Sequence, residues 1–258
     1  MNELILAEKE YLTSKLGIRE LAKKYSVNRQ VLTGWLMAKG IEISNRRAEK
    51  SFNVSFFDEI NTEEKAYWLG FMFADGFIGQ YKKSYKIELS LAMRDFNHLE
   101  KFANAIMFSK IKKSDNRCRV FIGSKKMFEK LNEYGCTERK SLTLKFPRVD
   151  IFQEKSLITH FIRGYFDGDG CITHSDKDGK KLNVTILGTE GFLFSLNKYI
   201  YPEKEMKLAK KGNVYVLSFN GKTGLEFLKR IYSRSTVYLD RKKQKYNEYC
   251  RLYEESYR

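Results

Sequence analysis

The chain has 258 residues, 42% of them hydrophobic, with 48 basic against 32 acidic side chains and a net charge of +16. That length supplies one large core or two modest ones plus a small appendage, and nothing approaches the ~18 consecutive apolar residues of a membrane span. Residues 1–16 carry acids among their apolar positions, unlike a secretory leader, so the sequence predicts a soluble intracellular protein, whether of cytoplasm, nucleoid, organelle or phage-infected cell. Ten basic and eight acidic residues in 1–60 leave +14 of the excess to 61–258. Cys118, Cys136, Cys171 and Cys250 lack Cys-x-x-Cys spacing or paired histidines, which argues against zinc or a disulfide framework.

Residues 11–41 predict two short helices joined by a tight turn. Ile18, Leu21 and Ala22 share an amphipathic turn, and Asn28 is placed to cap a second helix bearing Val31, Leu32, Trp35 and Leu36. The pattern resembles a helix-turn-helix, with 18–24 as supporting helix and 29–37 as the helix entering a major groove. Six basic residues against one acid in 11–41 favour DNA binding over a hairpin used only for packing, with Arg29, Gln30 and Thr33 as contacts. Residues 42–55 are polar, lack a period and contain Arg46, Arg47 and Lys50. They read as a linker, either tracking a DNA backbone or serving as a solvated tether.

Asn61-Thr62-Glu63-Glu64 has the spacing of a capping box and predicts a helix over 62–75. That helix ends in WLGFMFADG (68–76), and IRGYFDGDG (162–170) repeats its design: an apolar run with two small residues four apart, closed by Asp-Gly. On a helix this spacing puts Gly70 and Ala74, and likewise Gly164 and Gly168, on one face that another backbone can approach. The two helices should pack together and end in left-handed turns at Gly76 and Gly170. Asp75 and Asp169 then sit at the negative ends of helix dipoles. In parallel helices they also meet, and like charges ~4 Å apart at an effective dielectric near 20 repel by about 4 kcal/mol. A single copy reads as a buried helix with an ordinary turn. Two copies call for a shared cation, and carboxylates with room for water and phosphate suit Mg2+ or Mn2+.

The remaining elements also repeat. In the first half 86–93 alternates as a half-buried strand, followed by a helix over 95–107, strands at 109–113 and 117–122, and a helix over 125–134. The second half returns a strand at 184–187, a helix over 191–200, strands at 206–210 and 214–219, and a helix over 224–233. FIGSKKMFEKL (121–131) lies over SFNGKTGLEFL (218–228) without a gap, pairing Lys125 with Lys222. The order of helix, two strands, helix, two strands, helix per half implies an α+β fold with an antiparallel sheet in each. Lysines and arginines recur at the strands (Lys82, Lys83, Lys86, Lys112, Lys113, Arg117, Arg119, Lys207, Lys210, Lys211), which favours a polyanion ligand over a merely basic surface. Of three histidines only His174 falls near a motif acid in sequence, and a structural or exposed role is its default.

The two Asp-Gly segments resemble the motif of the LAGLIDADG homing endonucleases, with Asp75 and Asp169 on the family's penultimate, metal-binding acid. The likeness extends through AYWLGFMFADG, HFIRGYFDGDG and YLDRK (238–242) and runs from about Phe56 to the C-terminus. Phe73 departs from it, standing where many members have a second acid that is not the metal ligand. The resemblance implies two αββαββα units related by pseudo-two-fold symmetry, with antiparallel saddle-shaped sheets and the motif helices at the seam. The expected divisions are 1–41, a helix-turn-helix domain; 42–55, a linker; 56–150 and 151–258, the two halves. It further implies a monomer that cuts both strands of a specific duplex DNA site across the minor groove, leaving short 3′ overhangs, with divalent ions on Asp75 and Asp169. Lys125 and Lys222 match a loop position where many members place a pocket lysine, though an ordinary exposed lysine at a helix start fits as well. Strand contacts to DNA are expected from Tyr81, Lys83, Lys86, Arg117 and Arg119 in one half, and from Thr173, Asn183 and Thr185 in the other. A non-cleaving regulator and a maturase acting on intron RNA share the scaffold; two mutually repelling acids favour cleavage over the regulator. An intein is disfavoured, since the chain runs from Met1 to Arg258 without splice-junction residues.

Overall fold

The computed structural model describes residues 2–14, 16–41, 43, 52–174, 182–204 and 206–255. Arg46, Arg47 and Lys50 of the expected linker lie outside the described residues. The chain divides into two compact units, residues 1–53 and 54–258.

The first unit has three helices, α1 (Asn2–Thr13), α2 (Ile18–Lys24) and α3 (Arg29–Ala38), around Ala7, Tyr11, Leu21, Leu32 and Leu36. Asn28 caps α3 as expected, its side chain accepting from Gln30 N at 2.8 Å. Gly40 closes the helix at φ +69°, and Ile41 N returns to Leu36 O at 3.0 Å, the pairing of a Schellman end. Helix α1 goes beyond the sequence expectation. Acids as well as core residues hold it: Glu8 accepts from Trp35 Nε1 at 2.6 Å, and Glu10 from Tyr25 Oη at 2.5 Å and Lys24 Nζ at 2.6 Å.

The second unit runs α4 (Glu63–Ala74), β1 (Gly76–Tyr81), β2 (Ser84–Ala92), α5 (Phe96–Ala105), β3 (Ile111–Lys113), β4 (Arg117–Ile122) and α6 (Lys125–Glu133). The order then returns as α7 (Leu157–Asp169), β5 (Gly170–His174), β6 (Leu182–Gly188), α8 (Glu190–Ile200), β7 (Leu208–Lys211), β8 (Val214–Asn220) and α9 (Gly221–Tyr232), followed by α10 (Asp240–Glu255). Two antiparallel four-stranded sheets result, ordered β1-β2-β4-β3 and β5-β6-β8-β7. This is the expected α+β duplication of mixed helix and antiparallel sheet. Each sheet buries alternate residues: Ile87, Leu89, Val120 and Ile122 in one, Val184, Ile186, Leu217 and Phe219 in the other. A period of two sends the intervening residues to the outer face.

Two local expectations need correction. Thr62, not Asn61, caps α4, its hydroxyl accepting from Lys65 N at 3.3 Å, because the helix begins one residue later than the Asn-Glu spacing implied. Gly76 and Gly170 are not left-handed: Gly170 has φ −93° and ψ 162°, and each glycine opens a strand directly. What demands glycine is space, since a Cβ would lie 2.5 Å from Met72 O at position 76 and 2.5 Å from Phe166 O at position 170. The repeat is not complete: α10 has no helical counterpart after α6, where the matching stretch is a single 3-10 turn, Lys140–Leu142.

Candidate metal centre and nucleic-acid interface

Helices α4 and α7 lie in contact along their small-residue faces. A Cβ built on Gly70 would come within 1.9 Å of Phe161 O, and one on Gly164 within 1.9 Å of Tyr67 O. The contact is reciprocal, so neither position accepts a side chain without parting the helices. Position 67 meets 164, 70 meets 161 and 165, and 74 meets 168, so the helices run parallel and their C-terminal ends coincide. Asp75 follows the last residue of α4, Asp169 ends α7, and Asp75 Oδ2 lies 3.3 Å from where a Cβ on Gly168 would stand.

Burial of Asp169 raises its carboxyl to about 6, with the charge of Asp75 pushing the same way. Asp75, more open to solvent, is also raised, first by loss of hydration and against the pull of Lys242 and Lys140. Those two lysines occupy matching places. Lys140 Nζ donates to Ala74 O at 3.0 Å and to Gly76 O at 2.5 Å. Lys242 Nζ donates to Phe166 O at 2.7 Å, Asp167 O at 2.8 Å and Gly170 O. Each puts positive charge at a helix C-terminus and binds carbonyls of the helix end and of the first strand residue after it. Burial drops Lys242 to about 8 despite the neighbouring acids.

Lys125 and Lys222, the lysines expected at this site, are both exposed. Lys125 starts α6 and pairs with Glu129 at 3.5 Å, and Lys222 is exposed near the start of α9. Lys140 and Lys242 act on both Asp75 and Asp169, and Arg241 acts on Asp75. Lys140 and Lys242 come from unlike local structures, a 3-10 turn and a helix. For Lys242 a signal exists in YLDRK, and for Lys140 in Glu138-Arg139-Lys140, which repeats Asp240-Arg241-Lys242.

Behind the acids the seam is polar and closed. Arg163, fully buried, donates to Glu63 at 2.7 Å, Ile231 O at 2.9 Å and Val237 O at 2.8 Å. Asp167, at the position matching Phe73, accepts from Tyr67 Oη at 2.8 Å, Tyr232 Oη at 2.5 Å and Leu239 N at 2.8 Å. These bonds commit it to holding α7 against α9 and the start of α10. The histidines stay structural in their contacts: His98 and His160 engage Tyr67 and Arg163, and His174 stacks on Tyr249 at 5.8 Å. All four cysteines are free.

Among the described residues no group of three or more His, Cys, Asp or Glu could hold an ion. Asp75 and Asp169 are two carboxylates that could hold an ion such as Mg2+, which keeps several waters and takes phosphate oxygens as ligands. The partly desolvated, mutually repelling acids are what such an ion would neutralise.

The expected strand contacts stand on the sheets' outer faces. Tyr81 is 75% exposed, Lys83 lies in the β1–β2 turn, and Lys86, Arg117, Arg119 and Thr173 are exposed, with Asn183 and Thr185 half-buried. In the first unit Arg29 and Gln30 are exposed at the start of α3, while Thr33 commits its hydroxyl hydrogen to Arg29 O at 2.8 Å. No helix among the described residues is long and apolar enough to cross a membrane.

No family model matches the chain. A probable translation initiation factor IF-2 of Methanocaldococcus jannaschii is 26% identical over 174 residues, 64% of this chain, and the chain spans 14% of that protein's length. Its structural neighbours are LAGLIDADG homing endonucleases. The meganuclease I-AabMI bound to uncleaved DNA shares 14% identity and a TM-score of 0.48, over 72% of this chain and 88% of that one. I-GzeII in complex with its DNA target shares 13% and 0.48, over 72% and 89%; I-CpaMI bound to uncleaved DNA shares 11% and 0.49, over 74% and 92%. Likenesses of this strength leave the activity to rest on the chain's own residues.

Proposed function

We propose that the chain is a metal-dependent, site-specific DNA endonuclease of the LAGLIDADG type that breaks both strands of a duplex. The observation that carries this reading is the meeting of Asp75 and Asp169 at the ends of two reciprocally packed helices, each flanked by a lysine. Two acids from two copies of one unit supply one hydrolytic site per strand, and the basic and polar sheet faces offer a surface for the duplex. When bound, a divalent ion lowers the pKa of the attacking water and offsets charge building on the phosphate. Asp75 and Asp169 would hold it as carboxylates, which for Asp169, at about 6, means most of the population at pH 7.

The lysines differ in the donors they keep free. Lys140 gives two of its three N–H groups to carbonyls and keeps one to aim at a phosphate oxygen. Lys242 gives all three, so it acts through its charge and by fixing the end of α7. The first unit adds affinity or specificity as a helix-turn-helix, with α3 presenting Arg29 and Gln30 to a groove.

Asp75→Asn and Asp169→Asn test the assignment. Each should abolish Mg2+-dependent double-strand cleavage of a selected target while leaving binding within a few-fold of the parent, and full cutting by either variant would refute the site. A parent chain that binds duplex DNA tightly but never cuts, with Mg2+ or Mn2+, would instead make it a regulator.

A further inference from the structure

The two sheets present unlike chemistry on their outer faces. Across the first, strand register aligns Ser90 of β2 with Arg119 of β4, and Arg119 with Lys112 of β3. Arg117, one pair along, is braced by donating to Ser90 Oγ at 3.2 Å and to Ser90 O at 3.1 Å. Beyond them Phe77, Glu88 and Phe121 form the next row, and Lys86 lies 5.1 Å from the Phe77 ring and 2.8 Å from Glu88. Lys86 and Glu88 offset each other, which leaves three cations in a cluster. The side chains of Arg119 and Lys112, both exposed, make no hydrogen bond or ion pair with any described residue.

Among the described residues the second sheet lacks such a cluster. Its outer rows are Cys171, Thr185 and Ser218; Thr173, Asn183 and Asn220; and Leu187, Val216 and Ala209. Among its described outward strand residues the one cation is Lys211, at the end of β7. Asn220 stands at the N-cap of α9 yet makes no capping bond, so its amide is available. The Asn183 side chain is likewise uncommitted among the described residues.

Major-groove chemistry turns this difference into a preference. Guanine offers O6 and N7 as acceptors to arginine or lysine; adenine pairs with an asparagine amide through N6 and N7; and the thymine methyl packs against small apolar groups. We infer that the target is chemically lopsided: guanines concentrate in the half lying on the first sheet, opposite Arg119 and Lys112, and A·T pairs in the half on the second, read by Asn183 and Asn220 with Val216 against thymine methyls. This rests on the DNA-binding reading above.

The test is selection of bound duplexes from a randomised library by the full chain, at fixed salt with metal chelated, followed by sequencing. One half of the recovered site should be guanine-rich and the other A·T-rich. Arg119→Ala should lower the preference for guanine by roughly 5- to 150-fold at one or two positions of the first half and leave the second half unchanged, which also certifies that the variant is folded. Asn183→Ala should relax adenine preference in the second half alone. Recovered sites of equal composition in both halves, or an Arg119→Ala profile identical to the parent's, would overturn the inference while the nuclease reading stands. Recovery of no sequence above the input would sink that reading, and this inference with it.

Discussion

His98 is 1% exposed among Tyr67, Trp68 and Phe71, with Nε2 at 2.9 Å from the Tyr67 hydroxyl and Nδ1 unpartnered among the described residues. Tyr67 gives its one hydroxyl hydrogen to Asp167, so Nε2 carries the imidazole proton and Nδ1 a bare lone pair. Charging that ring inside an apolar cage is costly, and burial drops its pKa to about 3. The unfolded chain titrates near 6.5. Between these values the unfolded state binds a proton the folded state refuses, so stability falls as pH drops below 6.5, by at most about 1.4 kcal/mol per pH unit. Asp169, lifted to about 6, acts in the opposite direction, and the comparison between two chains is therefore the measurement. His98→Gln, which keeps an N–H donor without titrating, should show a flatter fall in urea midpoint from pH 7 to pH 5 than the parent. Equal slopes would place the acid sensitivity elsewhere.

At the scale of elements, the contact between α4 and α7 decides whether the site exists. Alanine normally favours a helix over glycine by about 1 kcal/mol, so Gly70→Ala and Gly164→Ala look benign by propensity. Against that, the added methyl meets a backbone carbonyl at 1.9 Å, and backbone yields less than a side chain. Overpacking costs ~1–3 kcal/mol or more and should win: both variants should melt lower than the parent, and both should lose cleavage as the acids separate. An unchanged melting temperature would mean that the two helices can part at no cost. This seam is legible in the sequence because its requirement is local and written twice, as small residues four apart followed by Asp-Gly. Strands β2 and β4 are legible for a similar reason, since alternation over six to nine residues has no helical rival. What stays hidden depends on distant partners: Lys140 reaches Ala74, 66 residues earlier, and α1 is held by Glu8 and Glu10 reaching residues 14 to 31 positions away. No window of sequence contains such pairs. The ends of α4 and α7 mislead because Asp-Gly reads as a left-handed stop, whereas each chain passes straight into a strand whose first residue crowds the last turn.

For the whole molecule, the charge balance separates the roles of the two units. The first unit carries ten basic and six acidic side chains, +4, and the second the remaining +12 of the +16, so most nonspecific attraction for a polyanion belongs to the second unit. The first unit still has its own core, and its salt bridges from Glu8 to Lys39 and Glu10 to Lys24 hold both acids against the two helices. That neutralises acids which would repel phosphate and leaves Arg29, Arg19 and Lys23 outward. Removing residues 1–45 should therefore leave a folded second unit, with its melting transition intact, that binds its selected duplex more weakly. Each phosphate no longer neutralised reduces the steepness of log affinity against log salt by ~0.9, so a first unit that covers two or three phosphates accounts for a flattening of about two to three. Binding titrations of both chains at salt concentrations spanning roughly 50 to 200 mM measure this directly. A truncated chain with the parent's affinity and slope would reduce the first unit to a packing module, whereas weaker binding at an unchanged slope would mean that α3 reads bases without touching the backbone.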